Sequence, residues 1–322
     1  MKIPKSSRPE MTASRNDKSQ SNFVVKSFLA GGVAGCCAKT TTAPIDRLKI
    51  LFQAQHKIYA GHGFVSGLKA IVRNEGWLAL YKGNGAMMVR VFPYAAIQFM
   101  SYEQYKRAYR GFFTTNPKVA NLFAGSSAGI TSVAFTYPLD VVRARFAFQV
   151  AERRYRSIWH CLQQIHRTEG GVRGLYRGIT ATVYGMIPYA GVSFYTFEFL
   201  KLLLMERLPN IASRPALDGS GKPALRVPAS LFCGGVAGAV AQSLSFPLDV
   251  ARRQMQLAGM VNGSSVTYMN RGVYQTLRDV YQKNGLVGGL YRGLSLNYYR
   301  VVPQVAVSFC IYELMKQVLR IY

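Results

Sequence analysis

The sequence predicts an all-α membrane protein: six transmembrane helices in three homologous repeats, with pseudo-threefold symmetry around a central cavity. Two observations carry this prediction. One is a set of motifs that occurs three times in fixed phase. Pro44-Ile45-Asp46-Arg47-Leu48-Lys49 returns as Pro138-Leu139-Asp140-Val141-Val142-Arg143 and as Pro247-Leu248-Asp249-Val250-Ala251-Arg252. Tyr81-Lys82-Gly83, Tyr176-Arg177-Gly178 and Tyr291-Arg292-Gly293 follow these motifs. Each unit then closes on an acid and a base, in Tyr102-Glu103-Gln104-Tyr105-Lys106, Phe197-Glu198-Phe199-Leu200-Lys201 and Tyr312-Glu313-Leu314-Met315-Lys316. Fixed-period self-similarity decides architecture before local propensity does, and a unit of about a hundred residues is far longer than a solenoid repeat. The other observation is two apolar stretches per unit, at residues 25–52, 85–108, 119–150, 178–205, 229–257 and 294–320. Each exceeds the roughly 20 helical residues that cross a hydrocarbon core.

The composition agrees with a membrane protein. The 322 residues are 49% hydrophobic and only 17% charged, with a net charge of +26. That surplus fits either a nucleic-acid binder or a membrane protein with basic faces. The cations are spread over all three repeats rather than gathered in one tract, so no nucleic-acid partner is expected.

Along the chain, residues 1–24 come first. Lys2, Lys5, Arg8, Arg15 and Lys18 stand among Ser and Pro, interrupted by Glu10 and Asp17. This is neither the apolar core of a secretory signal nor an acid-poor transit peptide, and it reads as a disordered tail. Repeat 1 spans 25–112 and repeat 2 spans 117–207. Pro209, Pro215, Gly219, Gly221 and Pro223 mark 208–227 as a linker, and repeat 3 spans 228–321. An even number of crossings places both termini on one side. Cys36, Cys37, Cys161, Cys233 and Cys310 have no paired or metal-ligand spacing and read as packing residues. No Ser/His/Asp, Cys/His or metal-ligand constellation is present, so the chain is not expected to be an enzyme or to need a cofactor.

Charge inside the apolar stretches is the functional signal, because an ionisable group at membrane depth is costly and usually faces a cavity or a partner. Three odd helices that each carry an acid and a base after a Pro can close a ring, with every acid meeting the next unit's base. The pairs are Asp46 with Arg143, Asp140 with Arg252, and Asp249 with Lys49. Glu103 and Lys106, Glu198 and Lys201, and Glu313 and Lys316 would form a second ring at the other end. Two weak gates on opposite sides describe alternating access. Gly31 and Gly35, Gly125 and Gly129, and Gly234 and Gly238 repeat a spacing that lets helices approach closely, a packing role. The Tyr-Lys/Arg-Gly turns begin the even helices, where free backbone N–H groups attract phosphate. A lipid headgroup, cardiolipin among them, and a plain helix start are both open readings there.

A substrate has no threefold symmetry, so positions that differ between repeats are the ones to read it. Three residues before Pro93, Pro188 and Pro303 stand Arg90, Gly185 and Arg300. Five residues before Pro44, Pro138 and Pro247 stand Lys39, Val133 and Gln242. Lys39, Arg90 and Arg300 can hold a polyanion, with a flat group lying over Gly185 and Met186. Arginine suits phosphate through its fork of donors.

Together the three motifs, each in three copies, resemble the mitochondrial carrier family over residues 25–320. The resemblance implies six tilted helices around a cavity, short matrix-side helices near 62–73, 155–168 and 270–283, both termini in the intermembrane space, and a functional monomer in the inner mitochondrial membrane. It assigns the Pro-motif ring to a matrix gate, braced by Gln53 and Gln256 with the brace missing at Ala147. The Glu-x-x-Lys ring becomes a cytoplasmic gate, braced by Tyr102 and Tyr312. Arg90, Gly185, Met186, Tyr189 and Arg300 fall at or near substrate contact points. The third repeat reads Asn284-Gly285 where the family places an acid before Gly, which leaves that loop's anchoring open.

The runs from Ala30 to Thr40 and from Tyr81 to Met100 are similar to coenzyme A carriers within the family. The resemblance therefore implies an antiporter for an anionic small molecule, coenzyme A or a related adenosine phosphate. A general adenine-nucleotide carrier, a proton or anion leak without obligatory exchange, and a non-transporting scaffold are the competing readings.

Overall fold

The computed structural model describes residues 10–59, 61–112, 117–150, 154–209, 213–214, 224–260 and 272–319. Six long helices dominate: α1 (Glu10–Gln53), α3 (Asn84–Phe112), α4 (Pro117–Phe148), α7 (Ile179–Arg207), α8 (Val227–Leu257) and α10 (Leu294–Val318). Between the members of each pair lie short helices, α2 (Phe64–Glu75), α5 (Ile158–Thr168) with the single turn α6 (Val172–Leu175), and α9 (Val273–Asn284). The chain is thus three copies of long helix, short helix, long helix. Each long helix carries one internal proline, Pro44, Pro93, Pro138, Pro188, Pro247 or Pro303, which removes one backbone donor and favours a bend there.

Two features depart from the sequence reading. The backbone is already helical at Glu10, so α1 runs through much of the stretch read as a disordered tail; residues 1–9 lie outside the described residues. The linker also holds an antiparallel pair, β1 (Ser213–Arg214) with β2 (Ala224–Leu225), while residues 215–223 are outside the description. Hydropathy alone picks out Pro228–Leu257 among the described helices as apolar enough to cross a membrane. The other long helices contain the repeated acids and bases, and it is the motif pattern that groups them with α8.

The repeats close on one another: α3 packs on α4, α7 on α8, and α10 returns to α1. Packing is deepest where the Pro-motif ends converge. Leu48, Leu51, Phe52, Ile71, Phe148, Leu257 and Leu296 form a buried cluster there, and Tyr137, Val141, Val142, Tyr155, Cys161 and Ile165 form a second. Large side chains such as Phe99, Phe135, Phe232 and Phe309 are exposed on the long helices, the arrangement expected of surfaces that face lipid. Close helix approach occurs at Gly32, where an added Cβ would lie 2.2 Å from the Phe92 ring, whereas Gly31, Gly125, Gly234 and Gly238 have open space. The repeated Gly spacing therefore marks a tight contact only at Gly129, where an added Cβ would lie 3.1 Å from Met186.

The short helices are fastened to the ring by buried ion pairs. Arg47, 1% exposed, donates through Nη2 to both Glu75 carboxylate oxygens at 2.9 and 2.8 Å, and through Nη1 to the Ala79 carbonyl at 2.7 Å. In repeat 2, Arg145 forks onto Glu169 and reaches the Tyr155 hydroxyl at 3.0 Å. Repeat 3 has Asn284 at the place of Glu75 and Glu169, and Gln254 at the place of Arg145. Gln254 donates to the Gln53 carbonyl at 2.9 Å and the Asn284 amide to Gln55 Oε1, so that loop is tied by neutral hydrogen bonds across to repeat 1. The turn glycines seat these loops on the ring: Gly83 has φ +88°, and a Cβ there would lie 2.8 Å from the Arg143 carbonyl.

Candidate functional site

The Pro-motif ends of α1, α4 and α8 meet in a ring of ion pairs linked cyclically between repeats. Arg143 Nη2 lies 2.6 Å from Asp46 Oδ2, Arg252 Nη2 lies 2.5 Å from Asp140 Oδ2, and Lys49 Nζ lies 3.7 Å from Asp249 Oδ2. Spacing alone named these partners. The ring is unequal, however. Gln256 supports the second pair, donating to Asp140 Oδ2 at 3.0 Å and to the Tyr137 hydroxyl at 3.1 Å. Gln53, read as the other brace of the ring, makes no side-chain hydrogen bond although it is buried. In the third pair Lys49 has a closer partner than Asp249, donating to Asn297 Oδ1 at 3.0 Å. At Ala147 there is no brace, and its carbonyl accepts from Arg47 Nε at 3.1 Å.

The opposite end does not form the ring that the repeated Glu-x-x-Lys motif predicts. Glu103 with Lys106, Glu198 with Lys201, and Glu313 with Lys316 pair within their own helices at 4.0, 3.4 and 3.0 Å. Pairs three residues apart on one helix form without any approach of helices, and exposed pairs of this kind contribute about 0–1 kcal/mol. Lys106 and Lys316 also sit over the rings of Tyr102 and Tyr312, 5.6 and 5.7 Å from the centroids, so these tyrosines contact their own helix's lysine rather than bracing a neighbour. The ion pairs between helices are thus concentrated at the Pro-motif end.

The three cations assigned to a polyanion are not free. Arg90 Nη1 donates to Asp140 Oδ1 at 3.0 Å and Nε to Thr136 Oγ1 at 3.2 Å, with its guanidinium 5.2 Å from the Tyr94 ring centroid. Arg300 Nη1 donates to Asp46 Oδ1 at 2.9 Å, and Lys39 Nζ donates to Gln304 Oε1 at 3.1 Å. Two of the three cations therefore rest on ring acids, each acid being shared between a ring base and an arginine from an even helix. Sequence offsets placed Arg90 and Arg300 at one level but carried no sign of this sharing, which depends on side-chain reach between repeats.

Of the remaining positions, Gly185 keeps ordinary clearance, an added Cβ lying 3.6 Å from Leu248. Tyr189 is exposed. Met186 is turned into the packing of α7 on α4, beside Gly129 and the second buried cluster, so it does not offer the open apolar surface expected of it.

Two residues to which the sequence reading gave no role complete the arrangement. Arg253 Nη1 donates to Gln256 Oε1 at 2.7 Å and lies 3.5 Å from Asp140. Gln242 Nε2 donates to Asp249 Oδ2 at 3.0 Å. Arg253 directly follows a motif base, and Gln242 occupies the position of Lys39 in the third repeat, so both carried a positional signal. Lys39, Lys49, Arg90, Arg143, Arg252, Arg253 and Arg300 outnumber the three aspartates among them. Such a surplus, partly excluded from water, favours an anionic ligand.

A family model described as mitochondrial carrier protein matches residues 20–113, 114–208 and 223–322. Solute carrier family 25 member 16 of Mus musculus is 49% identical over 96% of this chain and 93% of its own length. The protein of that name from Homo sapiens is 50% identical over 92% of this chain and 88% of its own length. A mitochondrial coenzyme A transporter of Homo sapiens is 41% identical over 96% of this chain and 93% of its own length.

Proposed function

The chain belongs to the mitochondrial carrier family and is a solute carrier rather than an enzyme, and from that premise we propose that it exchanges coenzyme A, or a closely related adenosine phosphate, across the inner mitochondrial membrane. One observation carries the substrate class. Arg90 and Arg300 lie on ring acids in a cluster where cations exceed carboxylates, so a phosphorylated ligand can take these arginines without stranding them. Similarity to a coenzyme A transporter, 41% identical over 96% of this chain, supports the choice of ligand.

The mechanism follows from sharing. An entering phosphate competes with Asp140 for Arg90 and with Asp46 for Arg300. Each acid then keeps its ring base but loses one neutralising partner, which weakens the ring as the ligand settles. Alternating access requires that the Glu-x-x-Lys helices then approach and pair between repeats, so that the cavity opens on the matrix side.

Purified protein in liposomes loaded with coenzyme A tests the reading. Labelled coenzyme A is expected to exchange faster than ADP or ATP, and only when a substrate is present inside. Equal exchange of ADP and ATP would make it a general adenine-nucleotide carrier. Uptake into empty liposomes would make it a leak, and absence of any flux from well-folded protein would make it a scaffold.

A further inference from the structure

The three seams of the Pro-motif ring differ in how their bases are held. Asp46 is enclosed by Arg143 and Arg300. Asp140 is 1% exposed and is enclosed by Arg252, Arg253, Arg90 and Gln256. Asp249 has 37% of its side chain exposed, accepts from Gln242 Nε2 at 3.0 Å and lies 3.7 Å from Lys49, whose closer partner is Asn297 Oδ1 at 3.0 Å. The Gln53 amide, buried beside this seam, has no partner.

Asn297 is the position where the repeats diverge. It stands four residues after the turn glycine Gly293, and the equivalents after Gly83 and Gly178 are Met87 and Thr182. Methionine offers a ring base no strong acceptor. The Thr182 hydroxyl donates to the Gly178 carbonyl at 3.1 Å, and among the described hydrogen bonds none joins it to the ring base Arg252, which lies on Asp140. Of the three, asparagine alone is joined by a described hydrogen bond to the base across the seam, and it is itself 2% exposed. A buried ammonium without an acceptor is costly, so this second oxygen lets Lys49 leave its carboxylate without being stranded.

We propose that Asn297 is a positioning residue that holds Lys49 part-way off Asp249 and makes the seam between the third and first repeats the one at which the ring yields. The proposal rests on reading the Pro-motif ring as a gate, but not on the identity of the substrate.

The test uses two substitutions with opposite expectations in the full-length protein. Asn297→Thr removes the amide oxygen that holds Lys49 and leaves a shorter side chain lying back on its own helix, as Thr182 does at Gly178, so that Lys49 is left to Asp249. The substrate-free protein should melt roughly 2 °C or more higher. Maximal exchange should fall several-fold, with the half-saturating concentration of coenzyme A changing less than about twofold, since a step after binding is altered. In Asn297→Asp, a second carboxylate draws Lys49 away and the melting temperature should drop. In a Lys49→Met background the opposite signs should disappear. Two substitutions that lower stability alike, or a difference in sign that survives Lys49→Met, would make Asn297 a packing residue and overturn the proposal. The melting measurements need no substrate, so failure of the coenzyme A assignment is seen separately, in the exchange assay alone.

Discussion

Arg90 and Arg300 rest on ring acids, and under the proposed mechanism each exchanges its acid for a substrate phosphate, which makes them the most informative residues to remove. Charge-assisted hydrogen bonds contribute about 1.5–3 kcal/mol, so Arg90→Ala or Arg300→Ala should reduce exchange more than tenfold in proteoliposomes. Each change also leaves Asp140 or Asp46 with one cation fewer, so both variants should melt below the parent before any substrate is added. Lys39 rests on the neutral Gln304, so Lys39→Ala should reduce exchange less and disturb stability less. Near-normal uptake in either arginine variant would place the binding site elsewhere.

At the scale of elements, the short helices are secured in two different ways. Burial raises the Glu75 carboxyl's pKa, but the Lys82 and Arg47 hydrogen bonds outweigh this and hold it below the usual carboxylate range. Glu169 is held down in the same way, by Arg145 and then Arg177 against the effect of burial. A carboxylate with a lowered folded pKa stabilises the fold above its unfolded value, and that contribution is lost as pH falls through the folded value. Melting temperature should therefore be insensitive to these two groups from neutrality down to about pH 5, and should decline below about pH 4. Glu169→Gln leaves Arg145 buried with a weaker partner and should cost about 3–5 kcal/mol. Asn284→Ala in α9 loses a neutral, exposed contact and should cost less than about 1 kcal/mol. Thermal unfolding of the three proteins across pH gives both comparisons, and an equal loss in the two variants would mean that the ion pairs do not anchor these helices.

For the whole molecule, the state is set by which end makes contacts between repeats. Ion pairs cross between helices at the Pro-motif end and run within helices at the other. The weakest crossing is the best place to prove the cyclic order. Reversing Asp46 would place a cation against Arg300, and reversing Asp140 would face Arg90 and Arg253. Asp249 has only Lys49 as a cationic partner among the described ion pairs. Asp249→Lys and Lys49→Asp should each lower melting temperature and exchange, and the double variant should recover part of both. The double-mutant cycle isolates the pair provided no new contacts arise. Purely additive damage would mean that the two side chains are not partners.

The threefold architecture, the six long helices and the cyclic pairing of acids with bases were all legible in the chain. Each follows from residues recurring at fixed offsets, and an offset along a helix determines which face a side chain occupies. The sequence also marked the third repeat as the exception through Asn284. It left undecided whether the acid-base motifs pair within a helix or between helices, because both geometries satisfy the same spacing. It gave no sign that Arg90 and Arg300 rest on ring acids, that Gln53 stands unpaired, or that Lys49 divides itself between Asp249 and Asn297. Those outcomes depend on distances of a few ångströms between side chains some 50 to 250 positions apart, and such distances are fixed only when the repeats close against one another.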